Sequence, residues 1–169
     1  MFGDLKKSRI IAYSAAFIGL ISLGAWVSVP FLPVPLTLQT LFVLLAGVVM
    51  KRYAVIPVSL YVILGALGLP VFHTGVTGVG ILLGPTGGYL IGFICAALVV
   101  GLAYERESET IRITGLLAGT GIIYACGVAW LMYSLTTGLV PAVISGVLPF
   151  IPGDVIKVYA AYRIAKRLP

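Results

Sequence analysis

Nearly all the charged residues of this chain lie in four short segments, and long uncharged runs separate these segments. The 169 residues include 11 Lys and Arg and 5 Asp and Glu, and 60% of the residues are hydrophobic. Fourteen of the charged residues lie near the N-terminus, after Met50, between Ala103 and Ile113, or after Tyr162. A soluble domain of this length cannot bury so much apolar surface, so the pattern predicts an all-α integral membrane protein.

The uncharged runs predict six transmembrane helices in a single domain that covers residues 1–169. The predicted ranges, in chain order, are 10–29, 36–50, 53–67, 85–103, 113–133 and 152–165. The second and third are about fifteen residues each, or ~22 Å at 1.5 Å per residue, which is shorter than a hydrocarbon core of about 30 Å. The uncharged connections at their outer ends must therefore enter the membrane, where irregular backbone is tolerated only inside protein or beside a cavity.

The basic clusters predict how the chain is oriented in the membrane. They all lie on one side of the six-helix arrangement, and the opposite connections contain no Lys, Arg, Asp or Glu. The positive-inside rule then places both termini in the cytoplasm of a multi-pass protein surrounded by membrane lipid. Because the basic residues flank apolar runs in this way, we do not expect binding to nucleic acid. The sequence leaves homo-oligomer formation open.

The two remaining charged residues, Asp154 and Lys157, lie at the start of the last hydrophobic segment, in the sequence IPGDVIK at 151–157. Ionisable side chains within an apolar span cost several kcal/mol unless they face a cavity or a partner. One interpretation is a structural i,i+3 pair, with Asp154 favoured by the helix dipole. We favour the other, a polar pocket in the outward half, because such pairs contribute only about 0.2–0.5 kcal/mol on an exposed helix.

Connections rich in glycine and proline surround this segment on the uncharged side. Residues 29–39 read VPFLPVPLTLQ, and residues 84–89 read GPTGGY at the start of the fourth helix. Short segments interrupted by Gly and Pro are good sequence indicators of a transporter binding site. The glycines of GPTGGY suit either ligand contact or close packing, about equally. Residues 134–151 are predicted to form a partly helical cap over an outward-opening, small-molecule pocket.

Catalysis and metal binding are not predicted. The single histidine, His73, has no second histidine or carboxylate nearby, and Cys95 and Cys126 lie in separate apolar runs. Apart from Asp154 and Lys157, His73 is the one plausible acid or base in the outer half, without a nucleophile–base–orienter pattern. We therefore predict a protein that is not an enzyme and has no cofactor.

Four segments of the chain form a further pattern: PVPLTLQ at 33–39, GLPVF at 68–72, GVGILLGPTGGYLIGF at 78–93 and GDVIK at 153–157. Together they resemble the BioY family, the biotin-specific substrate-binding (S) components of energy-coupling factor (ECF) transporters. The resemblance covers essentially the whole chain, and GPTGGYL together with GDxxK is quite specific. It implies an S-component-like bundle in a prokaryotic plasma membrane that captures biotin with high affinity. It also implies docking to a T component driven by two cytoplasmic ATPase subunits.

The chemistry of biotin is consistent with this resemblance. Biotin presents ureido N–H donors and a carbonyl, an apolar ring, an aliphatic tail and a carboxylate. Asp154 can accept from a ureido N–H, and Lys157 can donate to a carbonyl or carboxylate oxygen. Which end of biotin meets which residue is not decided by the sequence. The other predicted substrate-binding residues are Gln39, Phe72, Thr77, Gly84, Thr86 and Tyr89.

A further pair, Ala12 and Ala16, fits the AxxxA pattern by which S components contact the T component. Small residues at this spacing let two helices approach closely.

Two other functions stay open at this point. One is a solitary or proton-coupled small-molecule carrier, for which Asp154 would be the proton relay. The other is an S component for a different vitamin, such as thiamine or riboflavin.

Overall fold

The computed structural model describes residues 2–31 and 33–168, and the side chains discussed below belong to residues 7–31 and 33–168. Its helices are α1 (Phe2–Trp26), α2 (Gln39–Met50), α3 (Val55–Ala66), α4 (Val79–Leu83), α5 (Gly87–Tyr104), α6 (Glu109–Ser134), α7 (Leu139–Gly146) and α8 (Ile151–Ala165). Short 3-10 helices cover Lys51–Ala54 and His73–Gly75. Two strands, β1 (Ser28–Val29) and β2 (Leu36–Thr37), pair antiparallel between α1 and α2.

The prediction of a helical membrane protein is confirmed at this level. Four helical stretches in the described residues are long and apolar enough to cross a membrane: Lys7–Trp26, Gln39–Ala66, Gly87–Tyr104 and Glu109–Ser134. A fifth is obtained when α7 and α8, which are bent by 55° relative to one another, are counted as one broken span. Each predicted helix overlaps one of the longer helices, while the number of six spans stays a prediction.

The stretch from α2 to α3 is not a straight span. Lys51, between the two helices, has φ 55° and ψ −138°, a conformation that interrupts a right-handed helix. The Gln39 amide donates a hydrogen bond to the Tyr61 hydroxyl at 2.5 Å, across 22 positions of sequence. In a continuous helix these residues would be ~33 Å apart. The two helices therefore fold back on each other as a hairpin, with Lys51 and Arg52 at its turn.

The charged connections meet at one end of the molecule. Arg52 in the α2–α3 turn donates to both carboxylate oxygens of Glu105, which follows α5, at 2.6 and 2.5 Å. These hydrogen bonds hold the pKa of the Glu105 carboxyl at about 2. Lys166, after α8, pairs with Glu109 at the start of α6 at 2.7 Å. This charged end brings together the turns that the sequence analysis assigned to one side.

The core runs along α5, which packs against α2 on one side and α6 on the other. Ala96, Ala97 and Val100 of α5 are fully buried. The helices approach closely because small residues face each other: a Cβ added at Gly119 of α6 would lie 2.7 Å from the Val100 side chain. This close packing fixes the positions of α2, α5 and α6, on which the site at the uncharged end is built.

Candidate functional site

A cavity lies at the uncharged end, between the N-terminal halves of α2, α5 and α8 and the middle of α6. It contains about 560 Å³ of space between atoms, part of it open to the surroundings. Small-molecule sites usually have mostly apolar walls with a few polar groups. The apolar wall consists of Val34, Pro35, Phe72, Ile81, Leu90, Phe93, Ile123 and Phe150. The polar groups are Thr37, Gln39, Thr40, His73, Thr86, Tyr89, Tyr124, Asp154 and Lys157.

Asp154 and Lys157 form an ion pair at the floor of this cavity. The Lys157 Nζ lies 2.8 Å from Asp154 Oδ1, and the two residues are 3% and 9% exposed. The pair is therefore an i,i+3 pair and also part of the cavity wall, so the two interpretations of the sequence describe the same arrangement. A buried ion pair needs further hydrogen bonds to offset the desolvation of both charges. The neighbouring residues supply them.

Thr40 and Thr37 complete the surroundings of the lysine. The Lys157 ammonium donates to the Thr37 backbone carbonyl at 2.7 Å and to the Thr40 hydroxyl at 2.9 Å. The Thr40 hydroxyl in turn donates a hydrogen bond to Asp154 Oδ1 at 3.1 Å. An ammonium group has three N–H donors, and here all three are used. The end of β2 and the first turn of α2 thus hold Lys157 through one backbone and one side-chain oxygen.

Tyr124 holds the other carboxylate oxygen. Its hydroxyl, on the middle of α6, donates to Asp154 Oδ2 at 2.6 Å. Asp154 Oδ1 already accepts from both Lys157 and Thr40, whereas Oδ2 accepts from Tyr124 alone. A carboxylate can accept about four hydrogen bonds in total. One acceptor position on Oδ2 is therefore left in the described structure, beside an apolar wall.

Gln39 and Phe72 shape the wall beside the α3–α4 connection. The two ends of the Gln39 amide bond Thr37 and Tyr61, and the Tyr61 hydroxyl donates to the Val71 carbonyl at 3.1 Å. Phe72 is 1% exposed and packs edge-to-face on Tyr61, with ring centroids 5.5 Å apart. Gln39 thus lines the cavity with its polar atoms already bonded to protein. Its main effect is to fix the loop that carries Phe72.

Tyr89 joins α5 to α7 and to the turn that follows it. Its hydroxyl donates to the Gly146 carbonyl at the end of α7, at 2.7 Å, and its ring stacks on Phe150 with centroids 6.3 Å apart. The ring fits because Gly127 faces it from α6, where a Cβ would overlap the ring carbons. The range 134–151 is therefore partly helical, as predicted, and Phe150 is the residue of this range that lines the cavity, while its role as a cap stays a prediction.

The GPTGGY sequence contributes less to the cavity than the pattern suggested. Thr86 lines the cavity, but its hydroxyl donates to the Ile81 carbonyl at 3.3 Å. Gly84 does not line the cavity, since its carbonyl faces α6 and accepts from the Trp130 indole at 2.9 Å. Thr77 is exposed on the α3–α4 connection and also lies outside the lining. The geometry gives no support to the predicted ligand contacts of Gly84 and Thr77.

Several residues of the site were not predicted from the sequence. Thr40 and Tyr124 contact Asp154 from 114 and 30 positions away, and each is an ordinary helical residue in the sequence. Phe93 and Phe150 belong to apolar runs in which every residue is a candidate wall. His73 was interpreted as a loop residue, and it lies in that loop with its side chain at the cavity. The sequence feature that could have indicated Thr40 is its position directly after Gln39, which was a predicted site residue.

Ala12 and Ala16 do not line this cavity. Both are exposed on α1, whereas Ser14, Phe17 and Ile21 of the same helix are buried. The helix packs against α2 and α3. The AxxxA face is therefore directed away from the bundle, as a surface for another helix requires.

Comparison with known proteins places these features in a family. The sequence matches the family model described as the BioY family over residues 3–169. It is 45% identical over 162 residues to the biotin transporter BioY of Thermotoga maritima, with 95% of each chain covered. It is 42% identical to the probable biotin transporter BioY of Pyrococcus horikoshii, which covers 96% of this chain and 97% of the relative.

A solved structure has the same fold. The crystal structure of the S-component for biotin from an ECF-type ABC transporter matches with a TM-score of 0.85 and 29% sequence identity. The match covers 96% of this chain and 91% of the other. The similarity therefore extends over the cavity as well as over the helices that surround it.

Proposed function

Because this chain belongs to the BioY family, we propose that it is the biotin-binding S component of an ECF-type transporter. The family is one of transporters and not of enzymes. The observation that carries the proposal is the buried Asp154–Lys157 pair, bonded by the half-buried Thr40 and Tyr124, at the wall of an apolar cavity. Such a cavity combines an apolar wall for the ring and tail of biotin with a few fixed polar groups for its ureido end.

Biotin binds in the cavity with its ureido group toward Asp154. A ureido N–H donates to Asp154 Oδ2, which has the unused acceptor position beside Tyr124. The apolar ring lies against Phe72, Phe93 and Phe150, which line the wall. Lys157 has no spare donor, so it reaches the ligand only by exchanging one of its bonds to Thr37 or Thr40. Its first role is to hold the Asp154 carboxylate in place through the ion pair.

The chain lies in a prokaryotic plasma membrane with six spans and both termini in the cytoplasm. The α2–α3 hairpin supports six rather than five spans, because each of its short helices runs between the charged end and the cavity end. The positive-inside rule assigns the charged end to the cytoplasm. The cavity then opens to the outside, where a scavenged vitamin is captured.

Energy for release comes from partner subunits. The partners are a T component, which contacts the Ala12–Ala16 face of α1, and two cytoplasmic ATPase subunits. Tight capture alone cannot drive inward release, since a ligand shifts an equilibrium only by its differential affinity for the two states.

Reconstituted vesicles test this division of labour. Biotin uptake is expected only when the T component, the ATPases and ATP are all present with this chain. Uptake by this chain alone, driven by a proton gradient, would show a solitary carrier instead. Uptake of thiamine or riboflavin in place of biotin would show an S component for another vitamin.

A further inference from the structure

A second, apolar groove runs between α6 and α8 on the outside of the bundle. It contains about 760 Å³ of space that is open to the surroundings, and Tyr124 and Asp154 separate it from the candidate biotin cavity because they line both. Leu117 on α6 and Val155 on α8 line it and are 58% and 63% exposed. The two helices touch above and below the groove, through Tyr124 with Asp154 and through Tyr162 with Glu109. In the proposed six-span arrangement both helices cross the membrane, so the groove on the outside of the bundle faces lipid.

The groove has the length of one half of the bilayer. Its lining on α8 extends from Ile151 to Tyr162 and on α6 from Ile113 to Tyr124. Eleven residues of helix rise ~16.5 Å, which is about half of a hydrocarbon core of about 30 Å. A single acyl chain of one leaflet therefore matches the length of the groove.

A basic surface lies at the end of the groove, where α8 reaches the charged end. Tyr159 and Tyr162 line both the groove and an adjoining depression that Arg163, Lys166 and Arg167 complete. Glu109 compensates Lys166, at 2.7 Å. The Arg163 guanidinium bonds the Tyr159 hydroxyl at 2.7 Å and lies over its ring, so it keeps its positive charge at the surface. Among the described residues this depression therefore has excess positive charge.

From these observations we propose that the α6–α8 groove and its basic end form a binding site for an anionic phospholipid. One acyl chain lies in the groove, and the phosphate of the head group lies at Arg163 and Arg167. Tyrosines at the level of the head groups are typical of a membrane interface, and basic residues beside a spanning helix attract anionic lipids. The apolar groove thus leads directly into the basic surface, just as the acyl chain of a phospholipid leads into its anionic head group.

A lipid fits this groove better than the T component does. The face with the small residues Ala12 and Ala16 lies on α1, which packs against α2 and α3. The groove lies between α6 and α8, away from that face, and it leads into a basic surface that suits an anionic head group. The T component is therefore an outcome that the test must separate from lipid.

Native mass spectrometry of the detergent-purified chain tests the proposal, with phosphatidylglycerol and phosphatidylcholine of identical acyl chains. Wild type is expected to retain phosphatidylglycerol at least about tenfold more strongly, because each Lys or Arg near an anionic surface contributes about 1 kcal/mol, and 1.4 kcal/mol is tenfold. The double variant Arg163→Gln, Arg167→Gln should lose this preference. The control Lys51→Gln, Arg106→Gln removes the same charge from the other turns and should keep it.

A second pair of variants tests the acyl chain. Val155→Trp fills the groove and should weaken the binding of both lipids about tenfold. Ile156→Trp adds the same bulk at the next residue of α8, which is 69% exposed and outside the groove lining, and should leave lipid binding unchanged. The helical circular-dichroism signal and the gel-filtration position check that each variant is folded, independently of biotin binding.

Four results would overturn the proposal. Equal retention of the two lipids by wild type would show that charge plays no part. Equal loss in the Arg163, Arg167 variant and its control would show a diffuse effect of charge. Displacement of phosphatidylglycerol by inorganic phosphate would show a site for the head group alone. Normal lipid binding by Val155→Trp, with loss of T-component co-purification, would assign the groove to that protein.

Discussion

Asp154 is surrounded by donors from three elements, and this arrangement makes its charge the most sensitive feature of the site. Lys157 of α8, Thr40 of α2 and Tyr124 of α6 all donate to the carboxylate. A change at Asp154 therefore acts on ligand binding and on the packing of three helices together. Variants of single residues in this cluster therefore need controls that separate the effect on ligand binding from the effect on helix packing.

Asp154→Asn should weaken biotin binding by roughly ten- to a hundredfold. The acceptor position that we assign to a ureido N–H becomes partly a donor, and losing a charged hydrogen-bond partner costs about 1.5–3 kcal/mol. The measurement is a biotin titration of the purified variant. Glu107→Gln, which neutralises an exposed acid at the charged end, serves as the matched control and should bind normally.

Removing one charge also leaves Lys157 buried and unpaired, which destabilises a fold by about 3–5 kcal/mol. The double variant Asp154→Asn, Lys157→Met removes this penalty and should recover thermal stability without recovering biotin affinity. Wild-type affinity in folded Asp154→Asn would remove Asp154 from the binding site.

Tyr124→Phe tests the role of the hydroxyl at Oδ2. The variant keeps the ring and loses one hydrogen bond to a charged acceptor, so we expect the free energy of unfolding to decrease by about 1.5–3 kcal/mol. Biotin affinity should also decrease, because the Asp154 carboxylate is no longer held in position on the side of Oδ2. Tyr133→Phe, on the same helix with its side chain 78% exposed, is the control. Unchanged affinity in Tyr124→Phe would show that water replaces the hydroxyl and that Tyr124 is not needed for binding.

At the scale of elements, the segments over the cavity are the parts that we expect to respond to biotin. The α3–α4 connection with α4, and α7 with its turn to α8, carry glycines and no Lys, Arg, Asp or Glu. Gly75 and Gly78 have φ of 77° and 95°, so this backbone depends on residues without a side chain. Segments of this kind close over ligands in many binding proteins.

Hydrogen exchange of residues 76–83 and 139–150 should slow when biotin saturates the protein. Closing over the ligand protects the amides of these segments, while the α5 core is protected in either state. The measurement is peptide-level hydrogen–deuterium exchange with and without biotin. No change in either segment would contradict a closing motion, and a change spread evenly over α5 and α6 would indicate global stabilisation instead.

The sequence predicted the helices better than the connections, and the reason is physical. Apolar length and flanking charges are local properties, so the range 152–165 matches α8 closely. The predicted start of the second helix at 36 is too early, because Leu36 and Thr37 pair with β1 and the helix begins at Gln39. That pairing, like the bonds from Thr40 and Tyr124 to Asp154, joins distant positions and leaves no periodic signal.

Among the site residues, the two buried charged residues could be identified from the sequence alone. Asp154 and Lys157 stand out in the sequence because charge is expensive in an apolar span. Gly84 was predicted to contact ligand because glycine suits both ligand contact and close packing, and the structure shows its carbonyl bonded to Trp130. An aspartate is easier to interpret than a glycine, because its charge is costly in a membrane span unless it faces a cavity or a partner.

In the molecule as a whole, the two ends have different roles. The charged end joins the turns and the C-terminal segment through Arg52–Glu105 and Lys166–Glu109 pairs. The uncharged end holds the cavity. We place the T-component contact on neither end but along α1, where Ala12 and Ala16 are exposed.

Replacing Ala12 and Ala16 with leucine should reduce co-purification with the T component and biotin uptake in the full transporter. Larger side chains hold a partner helix away from the backbone. Biotin binding by the isolated chain should stay within about threefold, or 0.7 kcal/mol, of wild type. Cys95→Leu, a similar enlargement at an exposed position of α5, is the control. Loss of biotin binding with normal complex formation would place this face inside the bundle.

An isothermal titration of the purified protein tests most directly whether the isolated chain holds biotin in the cavity. The titration uses no ATP and no other subunit, with thiamine and riboflavin in parallel. We predict saturable binding of one biotin per chain, with neither other vitamin competing. Absence of biotin binding by the folded chain, or preference for another vitamin, would contradict the account.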